Sequence, residues 1–264
     1  LADKTQSFQI SGITLGLAKR LQVPDDFFQL SQAVSFQYYN LENYYTGLFT
    51  FGDGESNNLA YTINLTRNNT RVNPIFPIGG STFSINAKFT PPYSLISGKD
   101  YSNLGSLPEF QDENGNPLTE LIDQERFRWL EFYKIKFNGT WYTPIYEKLI
   151  LKTQVDFGFI GAYDLTRGNI PFERFFLGGD GMVSYALDGR ETIALRGYPN
   201  QSLSSRDGSV IYNKFSLELR YPITLKPSAS IYALTFLEAG KGYNSFREFN
   251  PFSSKRSAGA GVRI

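Results

Sequence analysis

The chain contains no cysteine, no histidine and only one methionine among its 264 residues. Without cysteine there is no disulfide framework, no thiol nucleophile and no thiolate metal site. Without histidine, the usual base of neutral-pH catalysis and the commonest metal ligand are both missing. These absences exclude Ser-His-Asp hydrolysis and zinc catalysis, and we expect neither an enzyme nor a metal site. Catalysis by a pair of carboxylates is the enzyme chemistry that stays open.

Long apolar runs and an excess of one charge are also absent. The 26 basic and 25 acidic residues nearly cancel, so nothing predicts a nucleic-acid partner. No run of about 18 apolar residues occurs, which excludes a transmembrane helix. A membrane β-barrel stays possible, because lipid-facing and lumen-facing residues alternate along each of its strands.

Glycine and aromatic residues are abundant, with 24 Gly, 23 Phe and 17 Tyr, and this bias favours strands and turns over helices. Apolar residues recur at every second position along most of the chain, as in the segment KFSLELRY that begins at Lys214. Such alternation is typical of strands with one apolar and one polar face. It predicts about nine strands, near residues 5–18, 28–41, 58–68, 80–91, 128–143, 147–161, 209–221, 228–240 and 255–264.

The connections between these strands alternate between short and long. Short ones are expected near 19–27, 69–79, 143–147 and 222–227, and long ones near 41–57, 92–127, 162–208 and 241–254. Short turns at one end and long loops at the other are typical of an outer-membrane barrel and have no reason to occur in a soluble sandwich. We therefore predict an all-β transmembrane antiparallel β-barrel, with a short amphipathic helix within residues 118–128.

The alternation also predicts which side chains face lipid and which face the lumen. The aromatics near strand ends would form interfacial girdles, although ordinary sheet packing also explains them. The residues expected to face lipid are Phe137, Trp141, Leu151, Phe157, Leu217 and Leu219. The residues expected to face the lumen are Lys136, Lys152, Glu218 and Glu238, and Lys134, Lys136 and Lys152 are interpreted as plain charges in a wet interior.

One long stretch resembles a known loop. Residues 171–199 read PFERFFLGGDGMVSYALDGRETIALRGYP, which fits neither an ordinary strand nor a helix and predicts a loop that folds back. The combination of FFLGG and RGY resembles the sixth surface loop of BamA-type outer-membrane protein insertases. Later segments of that family follow in order: SLELRYP from residue 216, FLEAG from 236 and SAGAGVR from 257. Glutamate stands at 238 where the family has aspartate, and FPIGG from residue 76 resembles a family turn upstream.

The resemblance implies that residues 1–264 are a partial outer-membrane β-barrel domain with a long inward-folding loop at 162–208. About nine of the family's sixteen strands would be present. The opening strands, the last two strands and the periplasmic POTRA domains are expected to lie outside this chain. The implied location is the cell outer membrane, crossed many times by strands.

The function implied is insertion and folding of other β-barrel proteins by strand templating, without a cofactor. Implied partners are unfolded outer-membrane proteins, outer-membrane lipoproteins of an assembly complex, the lipid bilayer and lipopolysaccharide. The alternatives are a polypeptide-exporting barrel of the same superfamily, of the TamA or two-partner secretion type, and a passive porin or barrel enzyme.

The resemblance also implies a clamp in which Arg196 of the loop meets Glu218 and Glu238 on the inner wall. Both glutamates lie on the polar phase of their strands, and a guanidinium forks well onto carboxylates. The longer side chain at 238 leads us to expect Glu218 as the closer partner. The clamp either sets the barrel shape needed for assembly or is a plain stabilising ion pair. The loop motif comprises Phe176, Gly178, Gly179, Gly197 and Tyr198, with the glycines expected in tight turns.

Overall fold

Nine strands pair in chain order into one antiparallel sheet, as a computed structural model of the chain shows. The structure describes residues 6–44, 51–70, 75–98, 100–168, 170, 173–180, 190–226 and 229–264. The strands of the sheet are β1 (Ser7–Arg20), β2 (Phe28–Glu42), β3 (Gly54–Asn68), β4 (Gly80–Phe89), β5 (Tyr133–Tyr146), β6 (Leu149–Gly161), β9 (Ile211–Lys226), β10 (Ala229–Tyr243) and β11 (Lys255–Arg263). The predicted all-β class and the count of nine strands are confirmed.

The sheet is polar on its enclosed face and apolar on its open face. On β9, Ser216 and Glu218 are 3% and 1% exposed, whereas Phe215 and Leu217 are 40% and 44% exposed. A soluble protein buries the apolar face of its sheet. A sheet with an exposed apolar face and a buried polar face is typical of a barrel whose outer surface meets lipid. We call the enclosed face the lumenal face and the open face the outer face.

The strand register extends the lumenal and outer faces across the sheet, because paired residues on neighbouring strands point to the same face. Trp141 pairs with Thr153, which pairs with Leu217, which pairs with Leu237, so one outer row crosses four strands. Lys152 pairs with Glu218 on the lumenal face. The predicted faces therefore hold, with one difference. Phe157 points outward but packs against Phe249 of the last long connection.

All four long connections lie at one end of the sheet, because strands that pair in chain order turn alternately at opposite ends. The connection between β2 and β3 is shorter than the predicted 41–57, since β2 continues to Glu42, β3 begins at Gly54, and Leu41 still pairs with Gly54. Strand β5 starts at Tyr133 instead of residue 128, because Arg128 and Leu130 instead hydrogen-bond to the backbone of Asn57. That sixteen strands form the complete barrel stays a prediction.

The long connections add short elements. These are α1 (Tyr93–Ser97), α2 (Thr119–Phe127), the parallel pair β7 (Phe175–Leu177) and β8 (Glu191–Ile193), and single 3-10 turns at Leu104–Ser106, Pro108–Phe110, Leu165–Arg167 and Phe246–Glu248. The predicted helix within 118–128 is confirmed as α2. No helix in these described ranges is long and apolar enough to cross a membrane.

The largest apolar core lies inside the sheet, at the end where the long connections fold. Tyr39 and Leu41 of β2 meet Phe175 and Leu177 of β7 there, together with Phe132 before β5. Burial of these side chains stabilises the long connections against the lumenal wall. The core therefore positions the loop that carries the candidate site.

Candidate functional site: the loop clamp on the lumenal wall

The loop between β6 and β9 is built on the two short strands β7 and β8. They pair in parallel, and Phe175, Phe176 and Leu177 are all at most 2% exposed. Phe175 contacts Tyr212 of β9, with ring centroids 4.6 Å apart. Three-residue strands are too short for an alternation pattern, which is why the sequence did not reveal them.

The glycine pair after β7 lets the loop close on itself. Gly178 and Gly179 have φ of 116° and 91°, a region that favours glycine. A Cβ on Gly178 would lie 2.5 Å from the Pro199 carbonyl oxygen, and one on Gly179 would clash with the Asn200 side chain. The FFLGG segment is therefore packed directly against the chain that follows RGY. Gly197 lies in a turn as expected, whereas Gly178 and Gly179 do not: Gly179 forms an isolated antiparallel bridge with Leu195, and the positive φ values serve this close contact instead.

Arg196, three residues after the end of β8, extends onto the lumenal faces of β9 and β10. Its Nη2 lies 2.7 Å from Glu238 Oε1 and 3.2 Å from Glu218 Oε2, and its Nε donates to Glu238 Oε1 at 3.1 Å. Its backbone N–H donates to Glu238 Oε2 at 2.8 Å. The structure thus brings all three predicted clamp residues together.

Glu238 is the main partner, and the expectation that Glu218 would be closer is wrong. Glu238 accepts from both the backbone and the side chain of Arg196, while Glu218 is shared with Arg220, whose Nε donates to it at 2.9 Å. The register explains the geometry, because Phe236 pairs with Glu218 across the strands. The guanidinium stacks over the Phe236 ring at 3.7 Å, between the two carboxylates.

The two carboxylates are both held by arginine, at side-chain exposures of 2% and 3% for Glu218 and Glu238. In this state they act as hydrogen-bond acceptors and anchors instead of a free acid–base pair. Among the residues that the structure describes, no group of three or more acidic side chains is placed to hold a metal ion. The absence of a metal or cofactor stays a prediction.

The rest of the RGY segment contacts the next strand. Gly197 has φ of 85°, and a Cβ there would lie 3.1 Å from that of Ser257 on β11. The Tyr198 hydroxyl donates to the Arg256 carbonyl at 2.7 Å. RGY therefore joins three adjacent strands, β9, β10 and β11, to one loop.

A second ionic cluster, which the sequence reasoning missed, holds the stem of the same loop. Lys134 Nζ lies 3.1 Å from Glu173 and 2.7 Å from Glu191, and its side chain is only 4% exposed. Lys88 of β4 also bridges to Glu173, and Lys136 bridges to Glu191 at 2.9 Å. We call these five residues the stem cluster.

The interpretation of Lys134 and Lys136 as plain lumenal charges is therefore wrong. A signal was available in the sequence: lysines 88, 134 and 136 all lie on polar strand phases. Buried cations need anions, and the loop offers Glu173 and Glu191 beside its apolar segments. Lys152 remains a lumenal residue, facing Glu218 across the β6–β9 pair.

We expect the stabilising effect of Glu173 to persist in mild acid. Burial alone would raise its pKa, but the charges of Lys134 and Lys88 outweigh that effect and lower the pKa from 4.5 to about 2. A carboxyl group with a lowered pKa stabilises the fold fully above its unfolded pKa, and this effect is lost as the pH falls through the folded value. The unfolding free-energy difference between the natural protein and Glu173→Gln should therefore stay constant above about pH 5 and shrink between about pH 4.5 and 2.

Denaturant unfolding of both proteins in detergent micelles over a pH series measures this difference. The Glu109→Gln variant, at an exposed carboxyl with no partner in the stem cluster, is the control and should show no such step. A difference that already shrinks between about pH 7 and 5 would contradict a strongly paired Glu173.

Comparison with known proteins agrees with this fold. A family model described as the Omp85 superfamily domain matches residues 4–264. Among solved structures, the crystal structure of BamA from Haemophilus ducreyi lacking POTRA domains 1-3 matches with a TM-score of 0.59 at 16% identity. The match covers 97% of this chain and 48% of that one, so this chain spans about half the length of that relative. A search of curated proteins found no match.

Proposed function

This chain belongs to the Omp85 superfamily, and on that premise we propose that its barrel inserts and folds other β-barrel proteins into the bacterial outer membrane. The observation that carries the proposal is the clamp, in which Arg196 is fixed by Glu218 and Glu238 on the lumenal wall. The loop bearing it also contacts β4, β5 and β11. A loop bound to so many strands sets the curvature of the wall.

The mechanism we propose needs no bond chemistry. A strand entering a bilayer must satisfy its backbone hydrogen bonds before it meets hydrocarbon, and pairing with an exposed strand edge does this. The barrel would template incoming strands at such an edge, while the clamped loop holds the wall in the shape that keeps this edge available. No cofactor takes part. The partners proposed are unfolded outer-membrane proteins, assembly lipoproteins and the lipopolysaccharide-containing bilayer.

Reconstitution tests this function directly. The full-length protein is placed in liposomes, an unfolded outer-membrane protein is added, and folding is followed by the mobility shift of unheated samples on gels. We expect faster folding than in empty liposomes. Liposomes that carry a detergent-denatured sample of the same protein serve as the control.

Three outcomes would overturn the proposal. Folding at the rate of empty liposomes would exclude an insertase. Passage of an added polypeptide into the liposome interior would instead indicate a polypeptide exporter of the same superfamily. A steady open current in planar bilayers, without faster folding, would indicate a pore.

A further inference from the structure

The last long connection, residues 244–254, folds outward over the outer face of the sheet instead of into the lumen. Phe249 packs against Phe157 and Phe246 packs against Phe159, each at 5.7 Å between ring centroids. Phe157 lies in the outer row of β6, where it pairs with Phe137 of β5. We call residues 244–254 the outer flap.

Polar contacts fix the flap in this position. Asn213 lies on the outer phase of β9, but it is only 2% exposed, against 40% for Phe215 two residues later. Its Nδ2 donates to Ser254 Oγ at 3.2 Å and to the Pro251 carbonyl at 3.5 Å. An amide facing hydrocarbon would lose free energy unless it were hydrogen-bonded, and the flap supplies acceptors for its Nδ2 group, while its Oδ1 is buried without a partner. The Tyr243 hydroxyl also donates to a flap carbonyl, that of Asn250.

The flap lies at the upper border of the apolar outer band. Below it on β9, the outer positions from Phe215 to Leu225 are apolar; five of them are 38% to 61% exposed, and Leu219 is half-buried. Ten residue steps of about 3.4 Å, tilted by about 45°, give about 24 Å, which matches an apolar band about 25 Å tall. The flap therefore begins where the hydrocarbon of the outer leaflet ends.

The flap presents two exposed aromatic rings among polar residues. Phe252 is 88% exposed and Phe246 is 56% exposed, and the neighbouring Arg247 and Glu248 are also exposed. Exposed aromatic rings beside charged and polar groups are typical of segments that lie in a membrane interface, where one side is apolar and the other is wet. The apolar rows of β6 and β9 continue directly into this surface, which favours lipid over a protein as its occupant.

We propose that the outer flap is a membrane anchor that places Phe246 and Phe252 in the membrane interface, at the top of the acyl chains of the outer leaflet. It would hold the long-connection end of β9, β10 and β11 at a defined depth. These are the strands to which Arg196 and Tyr198 bind. The anchor requires only that the barrel stands in a membrane and does not depend on the insertase function.

Site-specific fluorescence tests the anchor, and because these 264 residues contain no cysteine, an introduced cysteine is the only labelling site among them. Phe252→Cys in the full-length protein is labelled with an environment-sensitive fluorophore and reconstituted into liposomes containing lipids spin-labelled near the top of the acyl chain. Leu217→Cys, on the outer band, is the lipid control, and Glu113→Cys, on an exposed turn, is the water control.

We expect the label at 252 to emit at shorter wavelength than the label at 113 and to lose as much emission to the spin-labelled lipid as the label at 217. Quenching by aqueous iodide with no loss to the lipid quencher would overturn the anchor. Protection from both quenchers would also overturn it, because it would show a protein covering the flap. Because the Phe252 side chain is nearly fully exposed, we expect Phe252→Cys to fold normally. The mobility shift of the unheated variant on gels verifies this.

Discussion

Replacing Arg196 with alanine is expected to lower the free energy of unfolding by about 3 kcal/mol and to release the loop from the wall. Breaking a buried ion pair costs about 3–5 kcal/mol when the remaining charge stays buried and unpaired. The lower value applies because the Arg196 side chain is 25% exposed and each carboxylate keeps a second cation, Arg220 at 2.9 Å from Glu218 and Lys214 at 3.7 Å from Glu238. The mobility shift on unheated gels at rising temperature and protease cleavage within the loop both measure the effect.

The matched control is Arg206→Ala, an exposed arginine in the same connection, which should leave stability and cleavage unchanged. Arg196→Lys should rescue only part of the loss, because an ammonium lacks the planar fork that contacts both carboxylates. Normal stability of Arg196→Ala would contradict the clamp as a structural element.

The same variant separates the two interpretations of the clamp. If the clamp sets the barrel shape for assembly, folded Arg196→Ala protein should fold added substrates more slowly per molecule than the natural protein. If the clamp is a plain ion pair, stability falls while the rate per folded molecule stays the same. Measuring the rate at a temperature where the variant is fully folded keeps these outcomes apart.

Replacing Lys134 with methionine is expected to have an effect of similar size, about 3 kcal/mol. Methionine keeps the length of the side chain but removes the ammonium that Glu173 and Glu191 share. The ammonium also donates to the Glu173 carbonyl at 2.8 Å, so the stem of the loop loses a backbone contact as well. Denaturant unfolding and protease cleavage of the loop check this prediction.

Lys136→Met is the matched control for the stem cluster, because Lys136 is 32% exposed and has one partner. Exposed pairs contribute at most about 1 kcal/mol, so its effect should be clearly smaller. The double variant Lys134→Met with Glu173→Gln should be less stable than Lys134→Met alone, since it also removes the carboxylate that pairs with Lys88. Equal stability of Lys134→Met and the natural protein would show that the stem cluster does not hold the loop.

The sequence by itself determined the number of strands in the sheet, the face to which each strand side chain points, and the alternation of short and long connections. Each of these follows from local periodicity, because a side chain on a strand points to one face or the other whatever the remainder of the chain does. The segment from Lys214 to Tyr221 thus showed Glu218 on the polar face before any contact was known. The segments FFLGG, RGY, SLE and FLEAG follow one another in the order found in BamA-type proteins. This resemblance predicted the inward-folding loop and the arginine that it carries.

Only the tertiary structure decided which charges meet. Glu238, not Glu218, is the main partner of Arg196, because the loop brings both its backbone N–H and its guanidinium to that carboxylate. The stem cluster joins Lys134 to residues 39 and 57 positions away in the chain, a distance that no periodicity reports. The outer flap explains why Asn213 stands on an apolar face, since its hydrogen-bond partner lies 41 residues later. Local pattern sets the direction of a side chain, whereas the partner it meets depends on how distant segments fold against the wall.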